Sequence, residues 1–222
     1  SYCPELMQGL IRRRELLTLD ELRLTDIDET RLRVVGDFCE RVLNRNGLTP
    51  RVTQTVQLDR ALDGTDYIVT QIRAGRLEAR IRDEKIPLEY GMIGQETTGI
   101  GGFVNALRTI PQMERIVAAI EKNAPDAWLV NFTNPSGIVT EYLLNHTPVK
   151  AVGLCNLPIG AQERIAKLLG LPMERVRLET VSLNHCGAIT AVHAANENVL
   201  PKLMDPAMLT AMLGEAWRAM GA

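Results

Sequence analysis

The run Asp126-Ala-Trp-Leu-Val-Asn-Phe-Thr133 is apolar through its middle and stops at Asn134-Pro-Ser-Gly137. A short run without polar alternation, closed by turn residues, reads as a strand buried on both faces, as strands of parallel sheets are. Asp66-Tyr-Ile-Val-Thr-Gln-Ile-Arg73 reads the same way, and Val149–Leu154 and Val176–Leu183 are further strands. Glu21-Leu-Arg-Leu-Thr-Asp26 and Arg51–Thr55 are shorter ones. Segments of helical period lie between them. Pro4 opens a helix that runs to about Arg14, because proline gives up an amide hydrogen with no partner in a first turn. Thr30–Asn46 carries Leu32, Val35, Phe38, Cys39, Val42 and Leu43 on one face, which makes Cys39 a core residue. Asn105–Asn123 is helical with a kink expected at Pro111, and Ile138–Leu144, Gly160–Leu169 and Leu200–Met220 complete the set. Helix alternating with buried strand implies an α/β fold built on a doubly wound, Rossmann-type parallel sheet. A nucleotide-binding domain is expected over 1–147, and the start of a second α/β domain over 148–222.

Composition excludes more than it selects. With 25 basic and 27 acidic residues the net charge is −2, which gives no electrostatic case for nucleic acid or an anionic membrane. No apolar run approaches the roughly 18 residues of a membrane span. Cys3, Cys39, Cys155 and Cys186 form no CxxC pair, so a reducing, cytoplasmic compartment is expected. The chain begins at Ser1 and enters a helix at once, so it reads as a fragment.

In open α/β sheets, ligands sit at the C-terminal ends of strands. Asp26, the Gln71/Arg73 pair, Asn134 and Cys155 all fall at such ends. Asp26 follows the start of the first helix by about twenty residues, where a dinucleotide-binding unit keeps its ribose carboxylate. As a turn residue it needs no function. Cys155, in Val152-Gly-Leu-Cys-Asn-Leu-Pro158, and His185, in Ser182-Leu-Asn-His185, are metal-competent. Two ligands are too few for a closed structural zinc site and suit an open, catalytic ion. The competing reading is a buried thiol and a hydrogen-bonded core histidine. Ala74–Gly102 shows few helix or strand signals and reads as a long loop. Its five glycines from Gly91 to Gly102 imply either a backbone that approaches something closely or a flexible connection. Arg80 and Glu96 lie in it. Arg80 has a plain alternative in a salt bridge to Asp83 or Glu84, and Glu96 in a turn cap.

Gln71-Ile-Arg73, Leu77-Glu-Ala-Arg80, Gly94-Gln-Glu-Thr-Thr-Gly99, Asn131-Phe-Thr-Asn-Pro-Ser-Gly137, Gly153-Leu-Cys-Asn-Leu-Pro158 and Leu183-Asn-His185 together resemble the motifs of glycoside hydrolase family 4. The Cys-Asn-x-Pro string resembles its 6-phospho-β-glucosidase branch. The resemblance implies glycoside hydrolysis by temporary oxidation, not by a pair of carboxylates. NAD takes a hydride from C3, a base removes the C2 proton, the aglycone leaves, water adds and the hydride returns. It implies Cys155 and His185 as ligands of Mn²⁺ or another divalent metal. It implies Arg80, Glu96, Asn134 and Asn156 as substrate contacts, and Ser1, Asp26 and Asn134 as cofactor contacts. The base is a tyrosine expected beyond residue 222, so residues 1–222 alone are expected not to turn over. The implied substrate is a phosphorylated disaccharide or aryl glucoside, and a homo-oligomer is expected. Cys186-Gly-Ala188 departs from the family, which carries a large apolar residue and an aromatic soon after the histidine. Two other readings remain: an NAD-dependent 2-hydroxy-acid dehydrogenase of the lactate/malate type, and an inactive binding fragment.

Overall fold

The computed structural model describes residues 2–207 and residue 210. Ser1 and the expected helix beyond residue 207 therefore lie almost wholly outside the described residues. The chain forms two compact units, Ser1–Gly153 and Leu154–Ala222.

The first unit contains α1 (Cys3–Arg12), β1 (Glu21–Thr25), α2 (Glu29–Arg45), β2 (Arg51–Thr55), α3 (Leu58–Leu62), β3 (Tyr67–Thr70), α4 (Arg76–Lys85), α5 (Gly99–Asn123), β4 (Trp128–Asn131), α6 (Ser136–His146) and β5 (Lys150–Gly153). All strand pairs are parallel, and every connection between them carries a helix. The strands form two sheets, β1–β2 and β3–β4–β5.

The larger sheet holds the main core. Ile68, Leu129 and Ala151 point to one face and meet Met113, Val117 and Ile120 of α5 and Val139 and Leu143 of α6. Leu129, Met113, Ile120, Val139 and Leu143 are fully buried. The opposite face is different. Cross-strand register puts Tyr67 beside Trp128, Val69 beside Val130, and Val130 beside Val152. Tyr67 is 67% exposed and Trp128 47%. Burial on both faces, expected for these strands, is therefore corrected to burial on one, because α5 and α6 both lie on the same side. The second core joins α1 and α2 to the small sheet through Cys3, Met7, Cys39 and Leu43, packed on Leu22, Leu24 and Val52. A hydrogen bond with Cys3, together with burial, pushes the Cys39 thiol up from its ordinary pKa, as befits a core residue.

The segment 74–102 is a correction. It is not a long loop: it forms α4 and a 3₁₀ turn at Ile86–Tyr90, and α5 begins at Gly99, six residues before the expected start. α4 escapes a hydrophobic-period reading because it buries only Ala79 and Asp83. α5 runs through Pro111 to Asn123.

The second unit contains α7 (Leu157–Leu168), β6 (Val176–Leu183), β7 (Cys186–Ala194), β8 (Glu197–Asn198) and α8 (Leu200–Leu203). β6 is antiparallel to β7, and β7 to β8. His185 therefore does not end a parallel strand. It sits in the two-residue turn of a hairpin whose second strand the sequence hid, since a bulge between Ile189 and Ala191 breaks the alternation of β7 and much of β6 and β7 is exposed. Gln162 of α7 donates to the carbonyls of Met173 (3.2 Å) and Val176 (2.6 Å), fastening the helix to the base of the hairpin.

Leu129→Ala is expected to cost about 3 kcal/mol, the usual range for a fully buried leucine, measurable by urea unfolding. Glu21 accepts from Arg23 (2.9 Å) and Arg51 (2.6 Å), and those hydrogen bonds hold its carboxyl at about 2, below the ordinary 4.5. A lowered folded value means the group favours folding above pH 4.5, and the contribution vanishes as pH falls through about 2. A carboxyl-detected NMR titration should find Glu21 ionised at pH 3.5.

Candidate active site

The C-terminal ends of β3 and β4 carry the polar groups of the first unit. The N-terminus of α1 comes to the same ends. The Tyr2 amide donates to the Gln71 side chain at 2.7 Å, and the Tyr2 ring meets Phe132 edge-on at 4.8 Å. Gln71 also donates to the Cys3 sulfur at 3.6 Å. The Tyr2 side chain, at the N-cap position, makes no capping hydrogen bond, and the positive end of the α1 dipole lies at this edge. Asp26 stands just past β1. It accepts the Asp28 amide at 2.9 Å and a paired contact from Arg31, 3.0 Å on each oxygen. A helix start, which can donate to phosphate, and a strand-end carboxylate, which can accept from ribose hydroxyls, are a pair that fits a dinucleotide.

Arg80 and Glu96 are brought together. Glu96 pairs with Arg73 on one oxygen and with Arg80 at 3.4 Å on the other. Arg80 also donates to Glu84 at 2.7 Å, one turn along α4. That hydrogen bond, with the charges of Glu96 and Glu84, raises the Arg80 pKa. Asp83, the other partner expected for Arg80, is instead buried and paired bidentately with Arg108. Arg108 continues to the Ala74 carbonyl at 2.8 Å. The glycine-rich string approaches the chain's own backbone: a Cβ on Gly94 would lie 1.8 Å from the Glu84 carbonyl oxygen, and one on Gly101 would lie 2.2 Å from that of Gln95. Of the two readings left open for these glycines, close approach is observed at Gly94, Gly101 and Gly102, whereas a Cβ at Gly91 or Gly99 would meet nothing within 4 Å.

Asn134 follows β4. Its side chain accepts from the Ser136 amide at 3.4 Å, and its carbonyl accepts from Asn105 at 3.4 Å. Asn105 was legible in the sequence only as a helix start, and its part in the site depends on residues distant in the chain.

In the second unit Cys155 is half-buried, between β5 and α7, and Asn156 is exposed in the capping position of α7. His185 is exposed at the hairpin tip with φ of 60°, a left-handed conformation that costs a non-glycine residue roughly 1 kcal/mol or more. Gly187 is paired with Ser182, and a Cβ there would meet the Ser182 Cβ at 2.2 Å, so glycine after the histidine is required by the hairpin. Among the described residues no three His, Cys, Asp or Glu side chains cluster as a metal site.

A profile described as Family 4 glycosyl hydrolase matches residues 1–171. The chain belongs to glycosyl hydrolase family 4. It is 46% identical over 188 residues to a probable 6-phospho-β-glucosidase of Bacillus subtilis, covering 83% of this chain and 42% of the relative. The 6-phospho-β-glucosidase of Thermotoga maritima, solved with manganese, NAD⁺ and glucose-6-phosphate, superposes with a TM-score of 0.85 at 39% identity, covering 94% of this chain and 51% of that one. A 6-phospho-α-glucosidase from gut microorganisms, solved with NAD and Mn²⁺, gives 0.84 at 30% identity, with 91% and 47% covered. The chain thus spans about half the length of the relatives it matches. A lactate dehydrogenase of Eimeria maxima shares the fold alone, at 14% identity and a TM-score of 0.63, covering 99% of this chain and 66% of that one. The Rossmann-type α/β reading of the fold is correct.

Gly94→Ala is expected to displace the Glu96 loop from α4 and to lower stability by about 2 kcal/mol, as a backbone clash without relief does. Thermal denaturation beside the parent chain checks it.

Proposed function

We propose that this polypeptide belongs to an enzyme that hydrolyses 6-phospho-β-glucosides by oxidation, elimination, water addition and re-reduction. The observation that carries the reading is the 46% identity to a probable 6-phospho-β-glucosidase, against 34% or less to the α-glucosidase relatives. When bound, NAD supplies the hydride acceptor for C3, and Mn²⁺ or another divalent ion supplies Lewis acidity at the C2 and C3 oxygens. The residues present supply the rest. Cys155 and His185 hold the ion and leave positions for substrate oxygens. Asn156 and Asn134 orient sugar hydroxyls and the nicotinamide end, and Arg80 and Glu96 fix the substrate. Arg80 brings a guanidinium fork suited to hydroxyl or phosphate oxygens. Asp26 takes the adenosine ribose, and Ser1 is a further cofactor contact.

The C2 base is a tyrosine that the family resemblance places beyond residue 222, a position that none of Tyr2, Tyr67, Tyr90 and Tyr142 matches. Tyr67 lies at the N-terminal end of its strand, and Tyr142 is on α6 with its hydroxyl on Glu114 at 3.4 Å, whereas Tyr2 stands at the strand-end edge with its ring against Phe132. A reducing cytoplasm suits a site that needs the Cys155 thiolate free. No helix among the described residues is long and apolar enough to cross a membrane. The substrate is a phosphorylated disaccharide or aryl glucoside, taken by a homo-oligomer.

The test is cleavage of 4-nitrophenyl 6-phospho-β-glucoside by the polypeptide at its relatives' full length. Cleavage is expected to need NAD and Mn²⁺, to stop with a chelator, and to fall roughly 100-fold or more in Cys155→Ser, since even the groups that merely orient metal ligands are worth up to that factor. NAD reduction by a 2-hydroxy acid without glucoside cleavage would replace this reading by a dehydrogenase.

A further inference from the structure

Asn105 lies on α5 and is 7% exposed. Its amide nitrogen donates to the Glu96 carbonyl at 3.2 Å and to the Asn134 carbonyl at 3.4 Å. Its amide oxygen accepts the Thr109 hydroxyl at 3.1 Å and Arg108 Nη2 at 3.4 Å. The partners fix which way the amide faces, since two carbonyls demand the NH₂ end and a hydroxyl and a guanidinium demand the oxygen. One buried side chain thus ties together two backbone segments nearly forty residues apart. One carries Glu96, whose carboxylate clasps Arg73 and Arg80. The other is the turn after β4 that carries Asn134. The tie is anchored from below, because Arg108 is itself held by buried Asp83 and the Ala74 carbonyl.

We propose that Asn105 is a positioning residue that locks the Glu96 loop and the Asn134 turn into one body, so that occupation of the sugar site and occupation of the dinucleotide site strengthen each other. The inference rests on the proposed roles of Glu96 toward sugar and Asn134 toward cofactor. The physical reason is shared ordering. A ligand that orders one segment orders the other through Asn105, and the second ligand then meets a site already fixed. Reach toward ligand is left to Glu96, Arg80 and Asn134, and Asn105 acts only through their backbones.

Asn105→Asp isolates the donor role. It keeps an oxygen for Thr109 and Arg108, and it replaces the donor to both carbonyls by an oxygen that repels them. Thr109→Val is the control, since it removes a partner only from the acceptor side. Hydrogen exchange is measured on the 222-residue chain across residues 94–98 and 132–137. Asn105→Asp is expected to speed exchange about tenfold in both segments together, as loss of about 1.4 kcal/mol of local protection does, with the second half of α5 unchanged. Thr109→Val should leave both near the parent. If Asn105→Asp does not fold, Asn105→Ala takes its place. Exchange that rises in one segment only, or in neither, overturns the tie.

Calorimetry with NAD and glucose 6-phosphate then reads the functional half. In the parent, saturating glucose 6-phosphate should tighten NAD severalfold, and in Asn105→Asp that factor should fall to about 1. An unchanged factor in Asn105→Asp, or no factor in the parent, overturns the coupling and leaves Asn105 structural. A parent that binds neither ligand counts against the proposed function instead, and exchange alone then decides whether the two segments are one body.

Discussion

The burial of Leu129 and its neighbours beneath α5 and α6 is the constraint on which the first unit depends. Three strands of four residues each make few ladder hydrogen bonds and hold their alignment only when a face is covered. Ile68, Leu129 and Ala151 provide that face, and Met113, Ile120, Val139 and Leu143 cover it. Because parallel strands all point the same way, covering one face also brings their C-terminal ends to one edge. Gln71 and Asn134 come to that edge for this reason, and α1 starts there because Tyr2 is pinned to Gln71 and Phe132.

Above that core the order is polar rather than apolar. From Ala74 to Thr109 the chain is held by Asp83 with Arg108, Arg108 with the Ala74 carbonyl, Glu96 with two arginines, and Asn105 with two carbonyls. Buried groups of this kind are stable only when each has its partners, since one left unpaired costs about 1–3 kcal/mol. Among the described residues no buried side-chain nitrogen or oxygen lacks a partner. Satisfaction at this level fixes the geometry of a loop that apolar packing alone would leave loose, and it does so at the residues that the family resemblance points to.

The second unit is built by a different rule. A hairpin with one apolar face packs against α7 through Ile165, Ala166, Val176 and Val192. Its tip is set by backbone demands: His185 in a left-handed conformation and Gly187 too close to Ser182 to bear a side chain. The Cys186-Gly-Ala188 string, where a departure from the family pattern is expected, is thus compatible with a hairpin. Cys155 needs no such device, since it follows β5 and the proline of Leu157-Pro158 starts α7 at once.

By itself the sequence determined the fold class, the family, the core role of Cys39 and most elements, because periodicity and short motifs are local properties of the chain. It marked Arg80, Glu96, Asn134, Asn156, Cys155 and His185 by their motifs alone. It could not show that Arg80 and Glu96 pair, that Asp83 turns to Arg108, or that α4 is a helix at all, because a helix buried through a charged pair leaves no apolar stripe. Nor could it show that Tyr67 and Trp128 stand exposed on one sheet face, since which side the crossover helices take is decided by the handedness of connections and not by strand composition. Asn105 shows the division most plainly. Its two carbonyl partners are nine and twenty-nine residues away, and only the packed chain brings them within reach of one amide.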